Sequence, residues 1–231
     1  MKIINDITSC RSCVYRKLLF GSLSDEEYEI INRSRKEYVY KRGEVIKKEG
    51  DHIDSFLYLR SGLLKLYKTN KSGKDHILSL NKPGDFISLL SIFSNSEYKY
   101  SIAALEETKV CDIELGALEK VVGLNSEFAL RLLNRISNVS DEIIESQFEI
   151  RQRQVKGRIA YFLLFLSSNI YRSHEFRLPV TRREIGELIS MTTENTIRTL
   201  SEFKKDGILE MDGRVIKILD MERLGSISKT G

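Results

Sequence analysis

The segment around residues 193–201 carries side chains, at helical spacing, that are suited to reading the edges of DNA bases. Arg198 can donate two parallel hydrogen bonds to guanine O6 and N7, and Glu194, one turn earlier, can accept from cytosine N4. Thr193 and Ile197 can contact the methyl group of thymine. The alternative is an ordinary surface ion pair between Glu194 and Arg198, which stabilises a helix by roughly 0.2–0.5 kcal/mol. Residue types alone leave both interpretations open.

A preceding helix is needed to hold such a segment, and the sequence predicts that it begins at Thr181. Thr181-Arg182-Arg183-Glu184 has the form of a capping box, in which the threonine hydroxyl and the glutamate carboxylate bond to backbone amides that a helix start leaves unpaired. Gly186 permits close approach of a second helix. The apolar face of the first helix is predicted to be Ile185, Leu188 and Ile189.

The second helix is predicted to follow a turn at Ser190-Met191-Thr192, with Thr192 as its N-cap. From 207 to 218 the chain predicts two strands joined at an Asp212-Gly213 hairpin turn, which would form a wing. Capping, packing and turn chemistry thus agree on a winged helix-turn-helix. The inward face of the second helix is predicted to be Thr196, Leu200 and Phe203. Contacts to the DNA backbone are predicted at Thr181, Arg182, Thr192, Ser201, Lys204 and Lys205.

The charge distribution favours an anionic partner for the carboxyl-terminal part. Residues 151–231 hold 15 Lys and Arg against 10 Asp and Glu, whereas residues 1–150 hold 22 against 23. An excess of this size is also found on solvated surfaces, so charge alone leaves the partner open.

Several function classes find no support in the sequence. It has no run of the roughly 18 to 20 uncharged apolar residues that span a membrane, and its polar start lacks a signal-peptide core. The three histidines, His52, His76 and His174, fit no nucleophile, zinc or phosphate-loop pattern. We therefore expect a cytoplasmic protein that has no membrane partner and is not an enzyme.

The first half of the chain predicts many short strands. Apolar runs at 56–59, 63–67 and 76–80 are separated by glycine or Asn/Asp turns, including a hairpin at Asn70-Lys71-Ser72-Gly73. The predicted fold class is α+β, with an amino-terminal antiparallel β-roll or jelly roll. The predicted domains are residues 1–125 with the roll and an amino-terminal helical segment, a helix at 126–152, and a winged helix-turn-helix at 153–231.

A heptad-like stripe marks the helix between the two halves. Its apolar residues recur at steps of three and four, with Ser146 as the break in the series. One interpretation is a helix buried against the roll. The other, favoured by its position between the halves, is a dimerisation helix. The stripe consists of Leu132, Ile136, Val139, Ile143 and Ile150.

The segments 181–186 and 193–198 resemble the DNA-binding signature of the Crp/Fnr family of bacterial regulators. The glycine-marked segments at 41–44, 46–51, 59–62 and 83–87 resemble the β-roll of the same family, whose fold is similar to cyclic-nucleotide-binding domains. The resemblance implies a homodimer that places its recognition helices in successive major grooves of an approximately palindromic double-stranded DNA site. It also implies contact with RNA polymerase.

The resemblance points to an effector pocket in the roll, but the residues depart from the family's cyclic AMP site. Ser88-Leu89-Leu90 stands where those members have Gly-Glu-Leu, and Tyr98-Lys99-Tyr100-Ser101 lacks the arginine that holds the cyclic phosphate. Ordinary cyclic AMP is therefore not expected. The roll either takes another small molecule or is filled by its own side chains. The candidate pocket residues are Gly84, Asp85, Phe86, Ile87, Ser88, Leu89, Leu90, Lys99, Tyr100 and Ser101.

Three cysteines, Cys10, Cys13 and Cys111, resemble the cluster-ligating cysteines of the oxygen-sensing Fnr branch. That branch carries one more amino-terminal cysteine, where this chain has Leu18-Leu19-Phe20, so a carboxylate or histidine such as His52 would have to complete an iron–sulfur or other metal site. The favoured alternative is that Cys111 is a buried strand residue and that the other two are idle or redox-active. No cofactor is predicted to be obligatory.

The rival function is a β-roll regulatory module that senses a small molecule or metal without sequence-specific DNA binding. The predicted wing and the outer face of the second helix argue against it.

Overall fold

The computed structural model describes residues 2–3, 19–88, 91–93 and 96–231 of the chain. It divides into two compact units, Met1–Lys68 with Leu78–Glu142 and Thr69–Ile77 with Ile143–Gly231. The boundary between the units falls inside a long helix, whereas the predicted domain limits lie at the two ends of that helix.

Two four-stranded sheets form the roll, one in the order β1-β2-β8-β4 and the other in the order β3-β7-β5-β6. β8 pairs antiparallel with both β2 and β4, and β7 does so with β3 and β5. The strands are β1 Lys2–Ile3, β2 Arg35–Tyr40, β3 Val45–Lys47, β4 Ser55–Ser61, β5 Leu64–Thr69, β6 Asp75–Asn81, β7 Ser101–Ala104 and β8 Thr108–Glu114. The predicted double-stranded β-roll is confirmed.

Turn chemistry accounts for the spacing of these strands. At Asn70 the side-chain oxygen accepts from the backbone amides of Ser72 and Lys74, which closes the predicted hairpin between β5 and β6. Gly62, at φ +89°, lies where a Cβ atom would stand 2.5 Å from the Glu107 carbonyl oxygen, so this turn requires glycine.

Within the described residues, three helices complete the part of the chain before residue 153. They are α1 Asp25–Ser34, α2 Leu115–Leu124 and α3 Ser126–Gln152, with a short 3₁₀ turn at Phe20–Ser22. The bounds of α3 agree with the helix predicted at 126–152. Among the described residues, none of the helices has the length and apolar character needed to cross a membrane.

Helix α3 does not expose the stripe predicted for dimerisation. Leu132 is only 2% exposed and belongs to the buried core of the roll, against which Ile136 and Val139 also pack. Ile150 is 6% exposed, and Ile143 is half-buried. The assignment of Leu132 and Ile150 to a dimer contact is therefore wrong, because these side chains are already covered within one protomer. The alternative of burial against the roll holds for the first half of the stripe.

A different face of α3 is apolar and exposed. Its four large side chains are between 58% and 66% exposed, and they follow helical spacing with polar residues Ser137 and Asp141 between them. They are Leu130, Leu133, Ile144 and Phe148.

The carboxyl-terminal part has the predicted order of helix, turn, helix and hairpin. Its elements are α4 Val155–Phe165, a π-helical turn Leu166–Tyr171, β9 Glu175–Arg177, α5 Arg182–Leu188, α6 Thr193–Lys205, β10 Leu209–Asp212, β11 Val215–Ile218 and α7 Met221–Thr230. The wing is a three-stranded sheet, β10-β11-β9, rather than the predicted pair. The predicted fold class is confirmed, including the winged helix-turn-helix.

Candidate nucleic-acid interface

The start of α5 is fixed by the predicted capping box. The Thr181 hydroxyl oxygen accepts from the Glu184 amide at 3.2 Å, and the Glu184 carboxylate accepts from the Thr181 amide at 2.8 Å. Thr181 itself is exposed. Its backbone geometry is thus set by the helix cap, and its position at the helix N-terminus suits an anionic neighbour.

The turn between α5 and α6 is tight because Gly186 has no side chain. A Cβ atom there would lie 2.7 Å from the Met191 carbonyl oxygen and 3.2 Å from Thr196 Oγ1. Ser190 adopts the left-handed conformation at φ +56°. Thr192 then caps α6, its hydroxyl oxygen accepting from the Asn195 amide at 3.2 Å. The predicted close approach and the predicted N-cap are both confirmed.

Helix α6 has one buried and one exposed face. The inward face contains the three predicted residues and one that was not predicted, Thr199, and each is at most 1% exposed. On the other face Glu194, Ile197, Arg198 and Ser201 are exposed, and Thr193 is half-buried. The side chains proposed to read bases therefore lie together and reach solvent. The buried set is Thr196, Thr199, Leu200 and Phe203.

The partners of Arg198 are Asn195, one turn earlier, and Glu202, one turn later, rather than Glu194. Its Nη2 donates to Asn195 Oδ1 at 3.1 Å, and its Nε lies 3.9 Å from Glu202 Oε1. Glu202 also pairs with Lys156 at 2.9 Å. Arg198 thus pairs with Glu202 and not with Glu194, so the surface pair that was the alternative role of Glu194 is not formed.

The charge of Glu194 is favoured by its place in the first turn of α6. Hydrogen bonds from its own backbone amide and from the Thr192 hydroxyl lower the pKa of this carboxyl. It therefore acts at neutral pH as an ionised acceptor.

Two of the residues predicted to contact the DNA backbone also donate hydrogen bonds to the wing. Arg182 Nη2 donates to the Gly213 carbonyl at 2.9 Å, and burial lowers the pKa of this guanidinium. Lys204 Nζ donates to the Met211 carbonyl at 3.1 Å. Lys205 and Ser201 are exposed. The basic groups therefore flank the readout face, and two of them join it to the wing.

The turn of the wing lies one residue later than predicted. Asp212 pairs with Val215, so the two loop residues are Gly213 and Arg214. Gly213 has φ +55°, and Arg214 does not have a positive φ. Glycine at the first loop position alone fits a type II′ hairpin, which corrects the predicted Asp-Gly turn.

The candidate effector pocket in the roll is largely core. Phe86, Ile87, Ser88 and Tyr100 are at most 7% exposed. The Ser88 hydroxyl oxygen accepts from the Leu57 amide, and the Tyr100 hydroxyl donates to the Ile87 carbonyl. These four residues already bond to and pack against the protomer itself, which favours the alternative of a roll filled by its own side chains.

The remaining candidate pocket residues either lie apart from those four or fall outside the described residues. Lys99 is exposed, and the buried Ser101 hydroxyl accepts from the Glu49 amide at 3.0 Å. Asp85, next to Gly84, lies 3.6 Å from Arg135 of α3, and that guanidinium stands 5.9 Å from the centre of the Phe86 ring. The segment thus contacts α3. Leu89 and Leu90 fall outside the described residues.

Cys111 is a buried strand residue. It is 4% exposed on β8, and Arg35 Nη1 lies 3.6 Å from its sulfur. Burial raises the pKa of the Cys111 thiol to about 12, although Arg35 acts in the opposite direction. The favoured alternative, in which Cys111 is a buried strand residue, is confirmed.

The described residues do not bring together the further ligands that a metal site with Cys111 would need. In the part of the chain that the structure describes, three His, Cys, Asp or Glu side chains nowhere converge to hold a metal ion. Cys10 and Cys13 lie outside the described residues.

Comparison with known proteins gives two family matches. A cyclic nucleotide-binding domain model matches residues 37–124, and a Crp-like helix-turn-helix domain model matches residues 157–227. The matched regions are the roll and the segment that contains α5, α6 and the wing.

Relatives match over nearly the whole chain. The anaerobic regulatory protein of Pasteurella multocida is 29% identical over 228 residues, which covers 96% of this chain and 83% of that protein. The transcriptional activator protein FnrA of Stutzerimonas stutzeri is 28% identical over 196 residues, which covers 83% of this chain and 79% of that protein. The structure of FixK2 from Bradyrhizobium japonicum has a TM-score of 0.76 at 24% identity, covering 85% of this chain and 98% of that one. At this level of identity, the similarity to FixK2 concerns the fold alone.

Proposed function

The chain belongs to the Crp/Fnr family of DNA-binding transcription regulators, and we propose that it reads an approximately palindromic operator as a homodimer through the outer face of α6. The observation that carries the proposal is the separation of α6 into a buried face and an exposed face with an arginine and an ionised glutamate. Because its partner is genomic DNA, we place the protein in the bacterial cytoplasm.

In this proposal Arg198 reads guanine and Glu194 accepts from cytosine. Asn195 accepts a hydrogen bond from the guanidinium and Glu202 lies 3.9 Å from its Nε, which supports a defined direction for the remaining donors. Thr181, Arg182, Thr192, Ser201, Lys204 and Lys205 contact phosphates and set the register of the helix on the duplex.

The second subunit is proposed to pack on the exposed apolar side chains of α3. Leu130, Leu133, Ile144 and Phe148 are more than half exposed in one protomer, and a second copy of the same helix would cover them. A palindromic DNA site requires two-fold symmetry of this kind. RNA polymerase is proposed as the further partner.

The controlling signal is proposed to be something other than ordinary cyclic AMP. Buried aromatic side chains such as Phe86 and Tyr100 occupy the predicted pocket region, which supports a different small molecule or a filled roll. We propose that a thiol-based or metal signal, including an iron–sulfur cluster, would act through Cys10 and Cys13. Cys111 is less suited to that role, because it is buried and burial raises the pKa of its thiol.

The test is a mobility shift on a DNA site obtained by in vitro selection with the full chain. Affinity is expected to fall steeply with salt, because binding releases counterions from the phosphates. Arg198→Ala is expected to weaken binding by roughly 1–3 kcal/mol per half-site and to relax the preference at one base pair. Arg223→Ala, on α7, is the matched control and should leave the preference intact. Binding that ignores both sequence and Arg198 would overturn the proposal in favour of the regulatory-module function.

A further inference from the structure

One apolar side chain interrupts the polar outer face of α6. Ile197 is 49% exposed, and it lies one turn after Thr193 and one turn before Ser201. Its neighbour Arg198 is also exposed. Single exposed apolar residues are common on protein surfaces, so exposure alone explains nothing. The position is what matters, because Ile197 stands among the side chains that face the base edges.

Nothing in the helix itself favours isoleucine at this position. A β-branched side chain loses χ1 freedom in a helix, and its propensity is lower than that of the unbranched polar residues common on exposed helix faces. The core of this unit is made by the opposite face, at Thr196, Leu200 and Phe203. About half of the Ile197 side chain is left exposed by the fold, and that half lies where a bound ligand would cover it.

We propose that Ile197 selects a thymine in each half-site through the C5 methyl group in the major groove. This inference rests on the proposed readout by α6. Thymine is the one base that presents a methyl group there, and an aliphatic side chain is its natural contact. Isoleucine neither donates nor accepts hydrogen bonds. The exocyclic amine of adenine or cytosine would lose water against it without a replacement partner.

The methyl group can be removed or added without changing base pairing. Replacing thymine by uracil deletes only the methyl, and replacing cytosine by 5-methylcytosine adds one at the same place in the groove. Burial of one such group corresponds to about fourfold in affinity, or about 0.8 kcal/mol. Two symmetric half-sites should therefore give a loss of about 15-fold when both thymines are replaced.

The experiment uses the selected operator and the full chain. Each thymine is replaced by uracil in symmetric pairs, and dissociation constants are measured by fluorescence anisotropy at one fixed salt concentration. We expect one pair to give the 15-fold loss, and we expect Ile197→Ala to bind the thymine and uracil operators equally. Leu219→Ala, which removes a 48% exposed aliphatic side chain outside α6, is the matched control and should keep the full uracil effect. At that pair, 5-methylcytosine should bind wild type more tightly than cytosine.

The outcomes separate this inference from the function it rests on. If wild type shows no sequence preference at all, the proposed readout by α6 fails. If wild type is sequence-specific but no thymine pair responds to uracil, the assignment of Ile197 is overturned. The same holds if the response persists in Ile197→Ala, since the methyl effect would then arise from DNA shape or another residue. Thermal unfolding of Ile197→Ala and Ile197→Val establishes that the variants remain folded.

Discussion

The exposed face of α3 leads to the most direct test of assembly. Phe148→Ala is expected to weaken the homodimer, because Phe148 is 62% exposed in one protomer and would be covered by the partner. Burying a whole phenylalanine side chain contributes roughly 1.5–3 kcal/mol, so the exposed part corresponds to about 1–2 kcal/mol per copy. Two symmetric copies give about 2–4 kcal/mol, a rise of about 30-fold to about 1000-fold in the dimer dissociation constant.

Sedimentation equilibrium over a wide range of protein concentration measures that constant. Leu130→Ala, which removes a leucine with the same 62% exposure from the first part of α3, should act in the same direction. Leu219→Ala is the control, since this leucine is 48% exposed but lies outside α3. DNA affinity should fall together with dimer stability, because a single recognition helix makes half of the contacts.

Two results would refute this reasoning. One is unchanged dimerisation in both Phe148→Ala and Leu130→Ala, which would mean that the subunits associate elsewhere. The other is an equal loss in Leu219→Ala, which would reflect general damage rather than a removed contact. Circular dichroism distinguishes an unfolded variant from a folded monomer.

Two further predictions concern stability and thiol chemistry. Gly186→Ala should lower the free energy of unfolding, measured in urea, by roughly 1–3 kcal/mol. The reason is that the new Cβ would stand 2.7 Å from the Met191 carbonyl oxygen. An unchanged free energy would mean that the turn accommodates the methyl group without cost. With Cys10 and Cys13 replaced by serine, Cys111 should resist iodoacetamide at pH 9 until the chain unfolds, and rapid labelling of folded protein would contradict its burial. Because folding raises the pKa of Cys111 from 9.0 to about 12, its contribution to stability is full below pH 9 and declines as the pH rises towards 12.

Local chemistry made the helix-turn-helix predictable from the sequence. The capping box at Thr181, the N-cap at Thr192 and the small Gly186 each act within a few residues along the chain, so their consequences follow from spacing alone. The two faces of α6 follow from helical periodicity in the same way.

Features that depend on distant pairing were harder to predict. β9, residues Glu175–Arg177, joins the wing through Val215 and Lys217 of β11, and a three-residue segment gives no periodic signal of its own. The offset of the wing turn by one residue has a similar origin. It is set by the pairing of Asp212 with Val215, and an Asp-Gly sequence fits either register.

The candidate pocket in the roll depends on contacts that resemblance to a family does not predict. The glycine at position 84 allows the left-handed backbone conformation that this turn requires. The side chains that pack next to the turn, however, come from other parts of the chain. Here Tyr100 and Leu57 bond to Ile87 and Ser88, and those contacts join residues far apart in the chain.

Helix α3 shows why periodicity alone misjudged the dimer contact. A helix that packs on its own roll and also on a second subunit needs two apolar faces. In the sequence, the two faces differ only in how regularly their apolar residues recur. The more regular face includes Leu132 and is the one that packs on the roll core, where a polar side chain without a partner would be costly to bury. The other face keeps Ser137 and Asp141 between Leu133 and Ile144, since a surface that is solvated in the free monomer can carry polar residues at little cost. In a helix of this kind the interrupted stripe, rather than the cleaner one, is therefore the better candidate for contact between subunits.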